Sequence, residues 1–174
     1  MIKDWKLFLE SNNRDQEILD NIRDILLSLN DSCDLIRVYI PSFIEEFGRV
    51  KVHFIIEGKI GIEEIQVIKH LNSYLESEEF KCSIPRRGTD NRFNQADWFK
   101  ELNVIVQRRE GGVYKYSLNE IIRLLNMENS IFNKKPVYNL VRIDFAYYVP
   151  DYLNDGNIFQ IGQGKDLIRN NIYG

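Results

Sequence analysis

The hydrophobic period changes from two to about 3.6 between residues 50 and 77, and no other feature restricts the fold as much. Apolar residues alternate with other residues from Val50 to Ile56, which is typical of a half-buried strand. From residue 61 to 77 they recur three or four positions apart, which is typical of an amphipathic helix: Ile62, Ile65, Ile68, Leu71 and Leu75. Gly58 is expected to end the strand, so the chain combines a strand with a helix that follows it directly.

The same two periods recur along the rest of the chain. Residues 14 to 29 predict another amphipathic helix, and Ser117 and Glu120 match a capping box at the start of a further one. Alternation predicts strands at 35–40, 80–84, 102–108, 113–116 and 141–149, with Gly111-Gly112 as a tight hairpin turn. We therefore expect an α+β fold: a single domain with a mainly antiparallel sheet of about five or six strands and two or three amphipathic helices on one face.

Length and composition predict one domain. A chain of 174 residues that is 44% hydrophobic can build one well-buried core but is short for two. The predicted domain covers residues 1–153. Residues 154–174 are expected to form a weakly patterned C-terminal tail, because glycine and asparagine are frequent there and apolar residues are sparse.

Charge and cysteine spacing exclude several classes of protein. The net charge of −3 is neither the basicity of a general nucleic-acid binder nor the acidity of a disordered tail. Cys33 and Cys82 do not form a Cys-x-x-Cys pair, so zinc ribbons and thioredoxin motifs are excluded, and both thiols are expected to be reduced. Residues 1–5 lack the long apolar stretch typical of a signal peptide, and no window approaches roughly 18 uninterrupted apolar residues. We expect a cytoplasmic protein with no membrane partner.

Residues suited to proton transfer or metal binding are scarce. His53 and His70 are the only histidines, and neither has a cysteine or second histidine nearby in sequence. His53 is expected to be a half-exposed packing residue on the polar side of its strand. No nucleophile motif surrounds any serine or cysteine. The sequence therefore favours a protein that is not an enzyme, with no cofactor and no bound metal.

One short motif favours catalysis instead. Glu57-Gly58-Lys59 ends an apolar strand and precedes a helix, and it resembles the Glu-x-Lys element of the PD-(D/E)xK nucleases. Since residues two apart in a strand share a face, Glu57 would hold Mg²⁺ while Lys59 stabilises hydroxide or phosphate. The upstream acidic residue has no well-placed candidate, because Asp34 lies at the very start of a strand and Glu45-Glu46 lie in a predicted loop. A Mg²⁺-dependent nuclease centred on Glu57 and Lys59 is the alternative function.

A basic loop offers a second alternative. Arg86, Arg87 and Arg92 lie in a segment without periodicity, close to Phe93 and Trp98. Arginine can clamp a phosphate and aromatic rings can stack on a base. These arginines are therefore candidate anion-binding residues of a nucleic-acid-binding module, although a nucleic acid is the less favoured partner.

Acidic residues at the ends of elements suggest the leading function. The candidate partner-binding residues are Glu45, Glu46, Glu76, Glu78, Glu79, Asp151 and Asp155. Acidic side chains on an inhibitor mimic the phosphates that a basic toxin such as a nuclease binds. We therefore expect a non-enzymatic protein-binding domain, namely a bacterial immunity or antitoxin-type inhibitor that binds and neutralises a basic toxin domain.

Overall fold

The structure is a computed structural model that describes residues 2–39, 50–83, 101–131, 140–154 and 166–169. These residues form seven strands and four helices. The helices are α1 (Ile2–Leu27), α2 (Ile62–Ser77), α3 (Leu118–Ile131) and α4 (Asp151–Asn154). The strands are β1 (Cys33–Tyr39), β2 (Lys51–Ile60), β3 (Lys81–Ser83), β4 (Asn103–Arg108), β5 (Val113–Ser117), β6 (Leu140–Tyr148) and β7 (Asp166–Arg169).

The described strands form one antiparallel sheet in the order β5-β4-β6-β2-β1-β7. The short strand β3 also pairs with β6, on the side that β4 occupies further along the strand. Helix α2 packs between α1 and α3. The predicted single-domain α+β fold with a mainly antiparallel sheet is therefore confirmed, and β7 adds a short strand from the weakly patterned C-terminal segment.

The face of the sheet that carries the helices is apolar and closely packed. Phe54 of β2 and Phe145 of β6 are directly opposite one another, and their rings stack with centroids 4.8 Å apart. The Tyr147 ring meets both of them edge-on, and its hydroxyl donates a hydrogen bond of 2.8 Å to Asn72 Oδ1 on α2. We call this side the helix face; it is where the predicted apolar alternation of β2 and the apolar stripe of α2 meet.

The opposite side of β2 and β6, here called the second face, is also closed to solvent from Lys51 to Ile55 of β2. Directly paired residues share a face, so this side carries Lys51 with Tyr148, His53 with Ala146, Ile55 with Asp144 and Glu57 with Arg142. Lys51 is 2% exposed, Asp144 5% and His53 6%. The predictions of a half-buried strand and a half-exposed His53 are therefore wrong, because period-two alternation reports polarity and not whether the polar side is covered.

Gly58 lies inside β2, which corrects the expectation that it ends the strand. The register of β2 shifts here against both neighbouring strands. The φ angle of Gly58 is +143°, and an added Cβ would lie 2.6 Å from Cys33 Cα and 2.7 Å from the Ser32 carbonyl oxygen. Only glycine fits such an approach of two backbones, so the strand passes through a bulge and continues to Ile60.

Local signals in the sequence are reproduced where short-range hydrogen bonds decide the structure. The Glu120 N–H donates to Ser117 Oγ at 3.2 Å and the Ser117 N–H donates to Glu120 Oε2 at 3.3 Å, which confirms the capping box. Gly111 and Gly112 have φ angles of +93° and +91° and connect β4 to β5, which confirms the hairpin.

Helix α1 begins at Ile2 and not at residue 14 as predicted. It continues through Ser11-Asn12-Asn13, although these residue types favour turns. Among the described residues, no helix is both long and apolar enough to cross a membrane.

We predict that Gly58→Ala lowers the free energy of unfolding by about 3 kcal/mol, because the methyl group meets the β1 backbone and the φ angle is unfavourable for alanine. Gly111→Ala is the matched control. Its φ is also positive, but nothing lies within 4 Å of the added Cβ, so we expect a loss of about 1 kcal/mol. Urea unfolding of both variants measures the difference. Equal losses would show that the close approach at Gly58 is not a constraint.

Candidate functional site

A cleft of about 730 Å³ lies at one end of the sheet, where β1 and β6 begin and β2 and β4 end. We call it the sheet-end cleft. Its described lining contains three cationic side chains and two carboxylates, together with one amide and short apolar or backbone surfaces. The residues are Asp34, Glu57, Gly58, Lys59, Gln107, Arg109, Leu140, Val141 and Arg142. Polar groups from four strands therefore converge on one concave surface.

Arg142 is held in a fixed position on one side of this cleft. Its Nε donates to Asp144 Oδ1 at 2.9 Å, and its Nη2 donates to Asp144 Oδ2 at 3.3 Å. Its Nη1 donates to Glu57 Oε1 at 2.8 Å. The side chain keeps 31% of its surface exposed. The planar guanidinium thus bridges the two carboxylates and remains accessible from the cleft.

The partial burial of this network explains why it needs the arginine. Asp144 is buried between its paired neighbours Ile55 and Ile105, where an unpaired carboxylate would be costly. Hydrogen bonding to Asp144 raises the pKa of Arg142, with further contributions from the charges of Asp144 and Glu57. The guanidinium therefore stays charged. Its single positive charge offsets one of the two negative charges that Asp144 and Glu57 carry together.

The structure brings the predicted nuclease residues Glu57 and Lys59 into the same cleft as Asp34. The register shift after Glu57 means that the simple rule of two residues sharing a face does not apply across Gly58. Glu57 Oε1 is occupied by Arg142. Within the described residues, no group of three or more His, Cys, Asp or Glu side chains is arranged to hold a metal ion.

Further along the second face, two more ionisable side chains are buried. Lys51 Nζ lies 5.1 Å from the centroid of the Tyr148 ring, its partner across the β2–β6 pair. Burial, together with the nearby charge of Lys51, lowers the pKa of His53 to about 3. His53 is therefore neutral throughout the physiological range. His70, by contrast, is exposed on α2.

The cysteines are structural. Cys33 and Cys82 are both buried and reduced. Burial raises the pKa of Cys82 to about 12, with Glu76 nearby, and burial also raises the pKa of Cys33. Cys82 lies 3.7 Å from Asn72 Oδ1, the atom that accepts from Tyr147. A protonated, buried thiol is a poor nucleophile, so neither residue is poised for covalent chemistry.

Four of the predicted partner-binding residues lie together. Glu76, Glu78 and Glu79 are at the C-terminal end of α2, and Asp151 begins α4; we call this surface the acidic end. Arg14 Nη2 donates to Glu78 Oε2 at 2.7 Å. The Tyr152 hydroxyl lies 2.7 Å from the Glu78 carbonyl oxygen. These contacts tie α1 and α4 to the end of α2, and they leave Glu76, Glu79 and Asp151 exposed.

The remaining predicted site residues are outside the described residues. These are Glu45, Glu46 and Asp155 of the acidic set and Arg86, Arg87 and Arg92 of the basic loop. Their roles stay predictions. The structure also shows residues that the sequence analysis missed, namely Asp144, Arg142, Gln107 and Arg109. The alternation of Arg142, Ile143 and Asp144 indicates two charges on one face, but only the pairing with β2 places Arg142 opposite Glu57.

We predict that His53 makes the protein less stable in weak acid. The unfolded chain binds a proton at His53 below about pH 6.5, whereas the folded state excludes it down to a pKa of about 3. The free energy of unfolding therefore falls by about 1.4 kcal/mol per pH unit between these values. The variant H53Q should lose this slope, while H70Q, which replaces the other histidine, should keep it. Urea unfolding at pH 7, 6 and 5 measures both, and the same slope in the two variants would contradict a buried neutral His53.

Comparison with known proteins identifies no relative of this chain. No family model, no curated protein and no solved structure matches the chain. The candidate site therefore rests on its own geometry.

Proposed function

We propose that this chain is a non-enzymatic protein-binding domain that recognises a basic partner through the acidic end, as a bacterial immunity or antitoxin-type inhibitor recognises a toxin. The observation that carries the proposal is that the acidic end is held in place by contacts among three helices. Arg14 and Tyr152 both bind Glu78, and the Arg14 guanidinium lies 5.6 Å from the centroid of the Tyr152 ring. A surface held in this way loses little conformational freedom when a partner binds.

Charge supports a basic partner for this surface. Glu76, Glu79 and Asp151 are exposed around the Glu78 cluster, in which Arg14 forms an ion pair with Glu78. A positively charged surface would be attracted over a distance of about a Debye length, roughly 8 Å at physiological salt. Attraction of this kind speeds association and selects against acidic partners. A cytoplasmic site of action belongs to the same proposal.

The condition of the ionisable groups also favours binding over catalysis. Arg142 binds both Glu57 and Asp144, burial keeps Cys82 protonated, and His53 is neutral. Each of these groups serves the packing or charge balance of the sheet. Proton transfer at neutral pH needs a group whose pKa lies near the working pH, and Arg142, Cys82 and His53 do not provide one.

We predict that reversing charge at the acidic end with the double variant E79K/D151K weakens partner binding about tenfold or more, because it replaces attraction by repulsion. The control D24K/E63K makes the same change in net charge at exposed positions of α1 and the start of α2. The tagged protein is used to capture partners from the source cells at physiological salt, and the captured protein is then titrated against each variant.

The proposal requires a basic captured protein whose toxic activity the wild-type chain neutralises. It also requires that D24K/E63K retains affinity. Equal binding by E79K/D151K and the wild type would contradict the acidic end as the binding surface, and a captured protein without toxic activity would contradict the inhibitor role.

A metal-dependent nuclease is the second candidate, because Glu57, Lys59 and Asp34 line one cleft. The two candidates differ in a simple assay of the purified protein with Mg²⁺ or Mn²⁺ and labelled DNA or RNA. The protein-binding proposal predicts no cleavage. The nuclease predicts metal-dependent cleavage that E57Q reduces by about a hundredfold or more, while E110Q at the exposed hairpin turn leaves it unchanged.

A further inference from the structure

We propose that the sheet-end cleft binds a small dianionic ligand, one that carries two carboxylate or phosphate groups. This site is separate from the acidic end and does not depend on the protein-binding proposal. The two surfaces share no described residue: the cleft is lined by the ends of β1, β2, β4 and β6, and the acidic end is built from α1, α2 and α4.

Two cations of the cleft are available for a ligand. Lys59 and Arg109 are both exposed, and neither makes an ion pair or a side-chain hydrogen bond with another described residue. They belong to different strand ends, since Lys59 follows the bulge of β2 and Arg109 follows β4. Two separate cations on one concave surface suit a ligand with two anionic groups.

Arg142 adds a third cation whose orientation is already fixed. Its three contacts use one hydrogen each from Nε, Nη1 and Nη2. Two of the five N–H donors of the guanidinium therefore remain for a ligand. Because Asp144 and Glu57 hold the group in place, a ligand would not have to order a flexible side chain.

The charge and the size of the cleft agree with this ligand class. The lining carries three cations: Arg142 is balanced by Glu57 and Asp144, whereas Lys59 and Arg109 have no ion-pair partner among the described residues. Pairing with Arg142 reduces the repulsion that Glu57 would exert on an anion. A volume of about 730 Å³ lies within the usual range for small-molecule sites, and Gln107 provides an amide for a neutral polar group.

Binding is tested by isothermal titration with two probes, inorganic pyrophosphate and the dicarboxylate succinate, at low ionic strength. We expect saturable one-to-one binding of at least one probe. Pyrophosphate binding alone would assign the phosphate class, and succinate binding alone the carboxylate class. The double variant K59Q/R109Q should weaken binding by about tenfold or more. The control K69Q/R123Q removes two exposed cations from α2 and α3 and should leave the affinity unchanged.

The variant E57Q gives a second and opposite readout. It removes a negative charge from the cleft while Asp144 still holds Arg142, so anion affinity should rise by about threefold or more. Circular dichroism and thermal unfolding establish that each variant is folded. The proposal is overturned if neither probe binds, if K59Q/R109Q and K69Q/R123Q weaken binding equally, or if E57Q lowers the affinity of the folded protein.

Discussion

The antiparallel pairing of β2 with β6 is the interaction on which the rest of the structure depends. Its ladder runs from Lys51 opposite Tyr148 to Ile60 opposite Leu140. β1 joins β2 on one side, and β3 and β4 join β6 on the other. The same register stacks Phe54 on Phe145 under α2 and places Glu57 beside Arg142 on the second face. A shift of one residue would exchange the two faces, so the core and the candidate site share one geometric cause.

Closure of both faces of this central pair determines how the protein handles charge. A strand that faces water on one side can leave its polar residues solvated, but Lys51, His53 and Asp144 are buried. Each is accommodated differently: the ammonium lies over an aromatic ring, the imidazole is neutral, and the carboxylate is bound by an arginine. The pairing of carboxylates with Arg142 extends from the buried Asp144 to Glu57 at the end of the sheet, where Arg142 is partly exposed. The polar cleft is thus an extension of the charge balance inside the sheet.

The two proposed surfaces use charge in opposite ways. The acidic end presents exposed carboxylates around a cluster fixed by Arg14 and Tyr152, which suits a basic macromolecule. The sheet-end cleft is concave and contains Lys59 and Arg109, which have no ion-pair partner among the described residues, and this suits a small anion. Because the cleft comes from strand ends and the acidic end from helix ends, each surface can change without rebuilding the other. A chain whose total charge is modest can therefore carry two local sites of opposite sign.

The sequence by itself determined most of the elements, though not the start of α1 or the strand β7, because hydrophobic period, the capping box and the Gly111-Gly112 turn act over a few residues. It identified Glu57 and Lys59 as candidates, but it could not show that Glu57 binds Arg142, which is 85 residues away. Burial of the second face and the bulge at Gly58 were decided by the tertiary structure alone. Both depend on the approach of segments distant in sequence: Gly58 requires glycine because of the Cys33 backbone beside it, and His53 is neutral because the polar side of its strand is covered.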